Sequence, residues 1–222
     1  MSHELTMPLP NKRNDAAGPA GMSMPACRYS ANITAGPLML PESRRIAALL
    51  LQAPTSAAWL HAIQVDNLLQ KRTPATAMRQ ARLIRARLDT LPSAAWQLVA
   101  EGSQEAATQT LLAAAVRHSA LFADFLRDVV AAHHRKLDTF LTPREWAPFL
   151  ADCAAREPAV AAWTVATRAK VFQVILRMLA EARYLDSTKT LALRLPSLNP
   201  DLLKLLRAHG EKDLIAILEL RQ

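Results

Sequence analysis

Residues 71 to 88 read KRTPATAMRQARLIRARL, a stretch with six cations (Lys71, Arg72, Arg79, Arg82, Arg85 and Arg87) and no carboxylate. Thr73 and Pro74 predict where its helix starts. Threonine accepts from the free N–H groups of a first turn, and proline at the first helical position gives up an N–H that would have no partner there. Ala77, Ala81, Ile84 and Leu88 recur at helical spacing and line one face. The arginines fall mostly off that face, with Arg87 bordering it. Such a helix must bury one side against a core while the other presents guanidinium groups to a polyanion.

The rest of the chain narrows the reading. Its 222 residues are enough for one or two domains with real cores. Lys and Arg outnumber Asp and Glu by 27 to 19, a formal charge of +8. That balance favours acidic partners, first nucleic acid, then an anionic membrane surface or an acidic protein; solubility alone is the plainer explanation. Cys27 and Cys153 have no zinc-type spacing and fit reduced thiols of a cytoplasmic protein. His118, His133 and His134 lack acidic or cysteine partners at metal-site spacing, so no metal or cofactor is expected. The proline-broken N-terminus does not read as a signal peptide, and stretches such as Thr110 to Val116 are too short to span a bilayer.

A mostly α fold follows from the order of elements. Residues 1–27, rich in Pro, Gly, Asn and Ser, read as a disordered or loosely packed tail, and the pair Lys12 and Arg13 as solvated. Residues 28–158 read as an N-terminal helical domain holding the basic helix 74–88. In it, 29–34 has extended character and Pro41 starts a helix carrying Ile46, Leu49 and Leu50. A second helix, Trp59 to Gln70, buries Leu60, Ile63 and Leu68, and with the basic helix it outlines a helix-turn-helix. Gly102 ends one helix and Ser103 caps the next. Residues 159–222 read as a C-terminal unit of winged-helix outline. Its helix, Trp163 to Ala182, buries Val171, Phe172, Ile175, Leu179 and Ala182 and turns Lys170, Gln173 and Arg177 outward. The alternation Leu191, Leu193, Leu195 predicts a short strand over 189–195. In the winged-helix reading the segment from Thr167 is the recognition helix and Lys189 and Arg194 lie on the wing; a small α+β cap with a scattered basic rim fits the same pattern.

Three segments carry a family resemblance: YSANITAGPLMLPESRRIAALLL at 29–51, NLLQKRTPATAMRQARLIRARL at 67–88 and WTVATRAKVFQVILRMLAEARYLD at 163–186. With the spacing of Trp96, Phe125 and Trp146, the chain from residue 28 onward resembles the BrxA family of bacteriophage-exclusion (BREX) defence systems. The resemblance implies a helical accessory protein of a phage-defence locus that binds double-stranded DNA and has no enzymatic activity of its own. RNA stays open, through the likeness of such proteins to RNA-binding antitermination factors of the NusB type, as does a scaffold role toward an acidic protein of the locus.

Enzyme chemistry finds no foothold in the motifs. There is no G-x-G-x-x-G, Walker A loop or G-x-S-x-G elbow. Asp124 and Asp128 share a helix face beside Arg127 and read as a solvated pair. The expected nucleic-acid surface has two parts: Lys71, Arg72, Arg79, Arg82 and Arg85, then Arg168, Lys170, Arg177, Lys189 and Arg194, with Gln173 the one side chain placed for a base edge. Contacts of this type go to phosphates and carry little sequence preference. Trp59, Trp96, Trp146 and Trp163 sit in apolar helical patterns and read as packing anchors. A monomer or weak homodimer acting within a larger defence complex is expected.

Overall fold

Side-chain caps fix the start of most helices in the computed structural model, which describes residues 28–195 and 197–221. The readings on residues 1–27 and on Pro196 lie outside the described residues. Helix α1 (Leu40–Leu51) carries Pro41 and Glu42 in its first turn. Thr55 accepts from the Ala58 N–H (3.2 Å) ahead of α2 (Ser56–Gln64), and Thr73 from the Thr76 N–H (3.2 Å) ahead of α3 (Pro74–Leu88). After α4 (Ala94–Glu101), Gly102 approaches the Leu98 carbonyl so closely that a β-carbon there would collide with it. Ser103 then caps α5 (Gln104–His118). The next helix runs as α6 (Ala120–Asp124), a π-helical stretch at Phe125–Val130 and α7 (Ala131–Lys136). Helices α8 (Trp146–Arg156), α9 (Val165–Glu181), α10 (Pro200–Ala208) and α11 (Lys212–Leu218) complete a mostly helical body.

Helix α5 is the axle of the body. Every residue from Ala106 to Val116 is buried, which is what an alanine-rich helix without a polar face must do. It is packed against α1, α3, α4, α6, α9, α10 and α11. Its buried polar side chains are all hydrogen-bonded. The Thr108 and Thr110 hydroxyls donate to the carbonyls of Gln104 and Ala106, each at 2.7 Å. The Gln109 amide donates to the Ser197 carbonyl and accepts from the Asn199 N–H, tying the segment before α10 to the core.

A second cluster joins the two halves of the chain. Trp146 stacks on Phe172 of α9, with ring centroids 4.9 Å apart. Phe125 of the π-helical stretch meets Trp146, Phe149 and Phe172 edge-on at 5.2–6.2 Å. The Trp146 indole donates to the Arg168 carbonyl at 3.1 Å.

Several expectations are corrected. Residues 29–34 are extended only at Ser30: Ala31–Ala35 is a 3-10 turn, closed by the Thr34 hydroxyl on the Ala31 carbonyl. Ile33 is the turn's buried residue, and Tyr29, two residues before the turn, is buried as well. The strand over 189–195 reduces to isolated antiparallel bridges, Phe140 with Ala192 and Leu185 with Leu193. Leu191 has φ +53°, and Asp186 gathers the N–H groups of Ser187 and Ala192 and the Thr190 hydroxyl, which curls the chain before it can extend. Helix α2 stops at Gln64, because Asn67 and Gln70 adopt positive φ and the Asn67 side chain bonds both backbone groups of Lys71. Leu60 of α2 is exposed rather than buried. Helix α9 begins at Val165 rather than Trp163, with Thr164 as its cap accepting from the Thr167 N–H.

Candidate nucleic-acid interface

The outward side of α3 is a stripe of Arg79, Arg82 and Arg85, all exposed, with Arg72 exposed just before the helix. Arg72, Arg79 and Arg82 have no hydrogen bond or salt bridge among the described residues. Arg85 is partly committed: its guanidinium lies 4.9 Å over the Trp59 ring and its Nε is 3.5 Å from Asp89. Trp59 is thus buried beneath an arginine and offers no bare ring for a base, as its packing role requires. Lys71 is half-buried and its ammonium sits 2.5 Å from Glu42 on α1, so it braces α1 against the start of α3.

Arg87 belongs to the fold. It is 3% exposed, and its guanidinium donates to the Pro37 and Gly36 carbonyls at 2.5 and 2.9 Å. Burial lowers its pKa to about 10 against the upward pull of Glu181, so it stays charged at neutral pH. Five residues at 3.6 per turn put Arg87 about 140° around α3 from Arg82. Arg82 and Arg85 therefore turn away from the 36–38 segment.

Helix α9 is reached through that same segment. The Glu181 carboxylate accepts from the Leu38 N–H at 3.0 Å and from Arg177 Nε at 3.0 Å. Both α3 and α9 pack on α5 and on the Ala31–Ala35 turn, and the arginine stripe of α3 lies on the side of its helix away from that shared packing. Lys170, Gln173 and Arg177 share the exposed face of α9, beside the exposed Ala166 and Ala169. Arg168 does not join them in full: its guanidinium is folded back on the Ala161 carbonyl at 2.8 Å. Lys189 and Arg194 are exposed on the segment after α9.

Sequence reasoning missed the most densely connected polar site. Asp124 is not half of a solvated pair: it is 2% exposed. Its carboxylate accepts from the Tyr29 hydroxyl (2.6 Å), Arg28 (2.9 Å) and Arg127 (2.5 Å), with Arg156 at 3.5 Å. Nothing in the local pattern around Asp124 signals this, because Arg28, Tyr29 and Arg156 come from distant parts of the chain. Burial raises its pKa, but the bonds from Tyr29 and Arg28 and the charges of Arg28 and Arg127 outweigh it and hold the carboxyl below 3.8. A depressed folded pKa contributes stability that is present above the unfolded value and is lost as pH falls through the folded one. Asp124→Asn should cost about 2 kcal/mol at pH 7. The melting-temperature gap to the parent should then close below about pH 4; a gap constant from pH 7 to pH 3 would contradict this.

His133 is buried between Asp138 (2.9 Å) and Glu145 (2.5 Å). Both ring nitrogens are engaged in tying α7 to the start of α8. Among the described residues no cluster of His, Cys, Asp and Glu is arranged to hold a metal ion, and no helix is long and apolar enough to cross a membrane.

Comparison with known proteins places these features in a family. A crystal structure of an uncharacterized protein from Magnetospirillum magneticum superposes with a TM-score of 0.81 at 37% identity, covering 87% of this chain and 99% of that one. A protein named BREX protein BrxA from Paramagnetospirillum magneticum is 39% identical over 192 residues, 86% of this chain and 96% of its own length. Another of that name, from Escherichia coli O9:H4, is 38% identical over 188 residues, 85% of this chain and 88% of its own. The family model described as BrxA matches residues 27–210, and the chain belongs to the BrxA family.

Proposed function

We propose that this chain is a non-enzymatic, cytoplasmic accessory protein of BREX phage defence that binds double-stranded DNA, chiefly through the phosphate backbone. Its relatives carry the BREX name, which supports the role in defence. One observation carries the DNA reading: Arg72, Arg79 and Arg82 stand exposed at the start and along the outer face of a rigid, capped helix, without a carboxylate bonded to them. Long cationic side chains left unpaired on a fixed helix suit a regular array of phosphates. The exposed face of α9 adds a second contact, where the small residues Ala166 and Ala169 leave room for close approach and Lys170, Gln173 and Arg177 reach outward. In this reading residues 28–158 and 159–222 each supply one contact, and α9 with the bridged 184–194 segment serves as a pared-down winged helix. The chain acts as a monomer or weak dimer alongside other proteins of the defence locus.

Binding of duplex DNA, duplex RNA and single strands, measured in parallel across a salt series, tests the proposal. Duplex DNA of unrelated sequences should bind with similar affinity, falling linearly with salt on logarithmic axes. Preference for RNA would instead favour an RNA-binding factor, and a flat salt response or selection of one short sequence would refute backbone recognition.

A further inference from the structure

Helices α3 and α9 are built to one plan. Each follows a shorter helix, α2 or α8, and each opens with the pattern T-x-A-T, Thr73 to Thr76 and Thr164 to Thr167. In both, the first threonine accepts from the backbone N–H of the second, and the two hydroxyls bond at 2.9 Å. Counted from those caps, the buried Leu83, Ile84, Arg87 and Leu88 of α3 correspond to the buried Val174, Ile175, Met178 and Leu179 of α9. The outward positions correspond too, Arg79 to Lys170 and Arg82 to Gln173.

The two helices differ in the bulk they turn outward. The outside of α3 is arginine, whereas that of α9 is Val165, Ala166, Ala169, Lys170, Gln173 and Arg177. At 3.6 residues per turn Gln173 lies near the middle of this arc, with Ala169 and Ala166 about one and two turns nearer the start of the helix. Val165, in the first turn, is 84% exposed. From Val165 to Arg177 there is no Asp or Glu. Arg177 is bonded to Glu181, while Lys170 and Gln173 have no hydrogen bond or salt bridge among the described residues. Helix α3 therefore meets a polyanion at the length of an arginine, and α9 can approach to the length of a methyl group.

We propose that α9 enters the major groove and reads A·T pairs, with Gln173 bonding adenine and Val165, Ala166 and Ala169 meeting thymine methyls. This rests on duplex DNA being the ligand. A glutamine amide offers one donor and one acceptor, which match the N7 and amino group of adenine; guanine shows two acceptors on the same edge. The thymine methyl is the apolar group of that groove, and small apolar side chains contact it. An α-helix about 10–12 Å across fits a groove about 12 Å wide, and its first turns are the part that meets base edges. One valine and two alanines are too little apolar surface for a protein partner, which needs about 800 Å² on each side. The preference is graded by base composition, because the phosphate contacts of α3 serve every duplex alike.

The test uses the whole chain and duplexes of one length: A·T-rich, G·C-rich, and two forms of the A·T-rich one. The first form carries deoxyuridine for thymidine, which removes only the major-groove methyls; the second carries 7-deazaadenine, which removes the N7 acceptor. By anisotropy the A·T-rich duplex should bind roughly five-fold more tightly than the G·C-rich one, and each modified form about two-fold less tightly than its parent. Gln173→Ala should lose the response to 7-deazaadenine and most of the preference. Val165→Ser should lose the response to deoxyuridine. Both changes are at exposed positions, and circular dichroism checks the fold. Lys170→Gln should weaken both unmodified duplexes and keep their ratio. Equal affinity for A·T-rich and G·C-rich duplexes with a steep salt slope overturns base reading by α9 and leaves phosphate binding standing. A preference that survives both modified bases and Gln173→Ala overturns it as well, since the readout then lies in the minor groove or on another element. Failure to bind any duplex at low salt overturns the DNA reading itself, and this inference with it.

Discussion

Replacing Trp146 by alanine is expected to remove about 3–5 kcal/mol of stability. For a chain of this length that lowers the melting temperature by roughly 6–20 °C. Two effects combine. The ring is 8% exposed and lies between Phe172 on one side and Phe149 and Phe125 on the others, so its removal leaves a cavity that three neighbours from three elements cannot all close. Its indole N–H also holds the Arg168 carbonyl in the first turn of α9, so the orientation of α9 is lost with the packing. Half-buried Trp96, whose indole donates to the Leu88 carbonyl, should cost less. Urea unfolding followed by circular dichroism measures both. A Trp146→Ala chain that melts like the parent but loses nucleic-acid affinity would show the ring to be a stacking platform instead of an anchor.

The sequence exposed what is local and hid what is assembled. The Thr73–Pro74 start of α3, the Gly102–Ser103 break and the buried stripe of α9 are each decided by a few neighbouring residues, and each stands in the structure. The extended readings failed where a polar side chain overrode alternation. Asp186 collects two N–H groups and a hydroxyl and bends the chain that the leucines at 191, 193 and 195 would otherwise extend. The Asp124 site was illegible for another reason: two of its donors lie 95 and 96 residues away in the chain at Tyr29 and Arg28. The basic residues were legible as a set but not as individuals. Spacing alone places Arg85 and Arg82 alike on the outer side of α3, yet one is laid over Trp59 and the other is unpaired. Arg168 likewise reads as outward and is folded onto the Ala161 carbonyl.

That difference between counted and available cations sharpens what neutralisation should do. Arg79→Gln, Arg82→Gln and Arg85→Gln together keep good helix formers on α3, and the lost Arg85–Trp59 stack costs only about 0.5–1 kcal/mol. If all three guanidiniums meet phosphates, the slope of log affinity against log salt should become shallower by about 2.7. Affinity at 0.1 M salt should fall on the order of 10²–10³-fold, equally for duplexes of unrelated sequence. Lys71→Gln should behave differently, because that ammonium already answers Glu42; its effect should appear in the melting temperature more than in the slope. Lys170→Gln with Arg177→Gln on α9 tests the second contact. If one duplex touches both helices, the two sets of changes should add in the salt slope when combined. If each helix binds a separate duplex, each set should reduce stoichiometry instead, from two duplexes per chain to one. A triple α3 variant that is folded by circular dichroism and binds DNA with the parent's affinity and slope would remove α3 from the interface altogether.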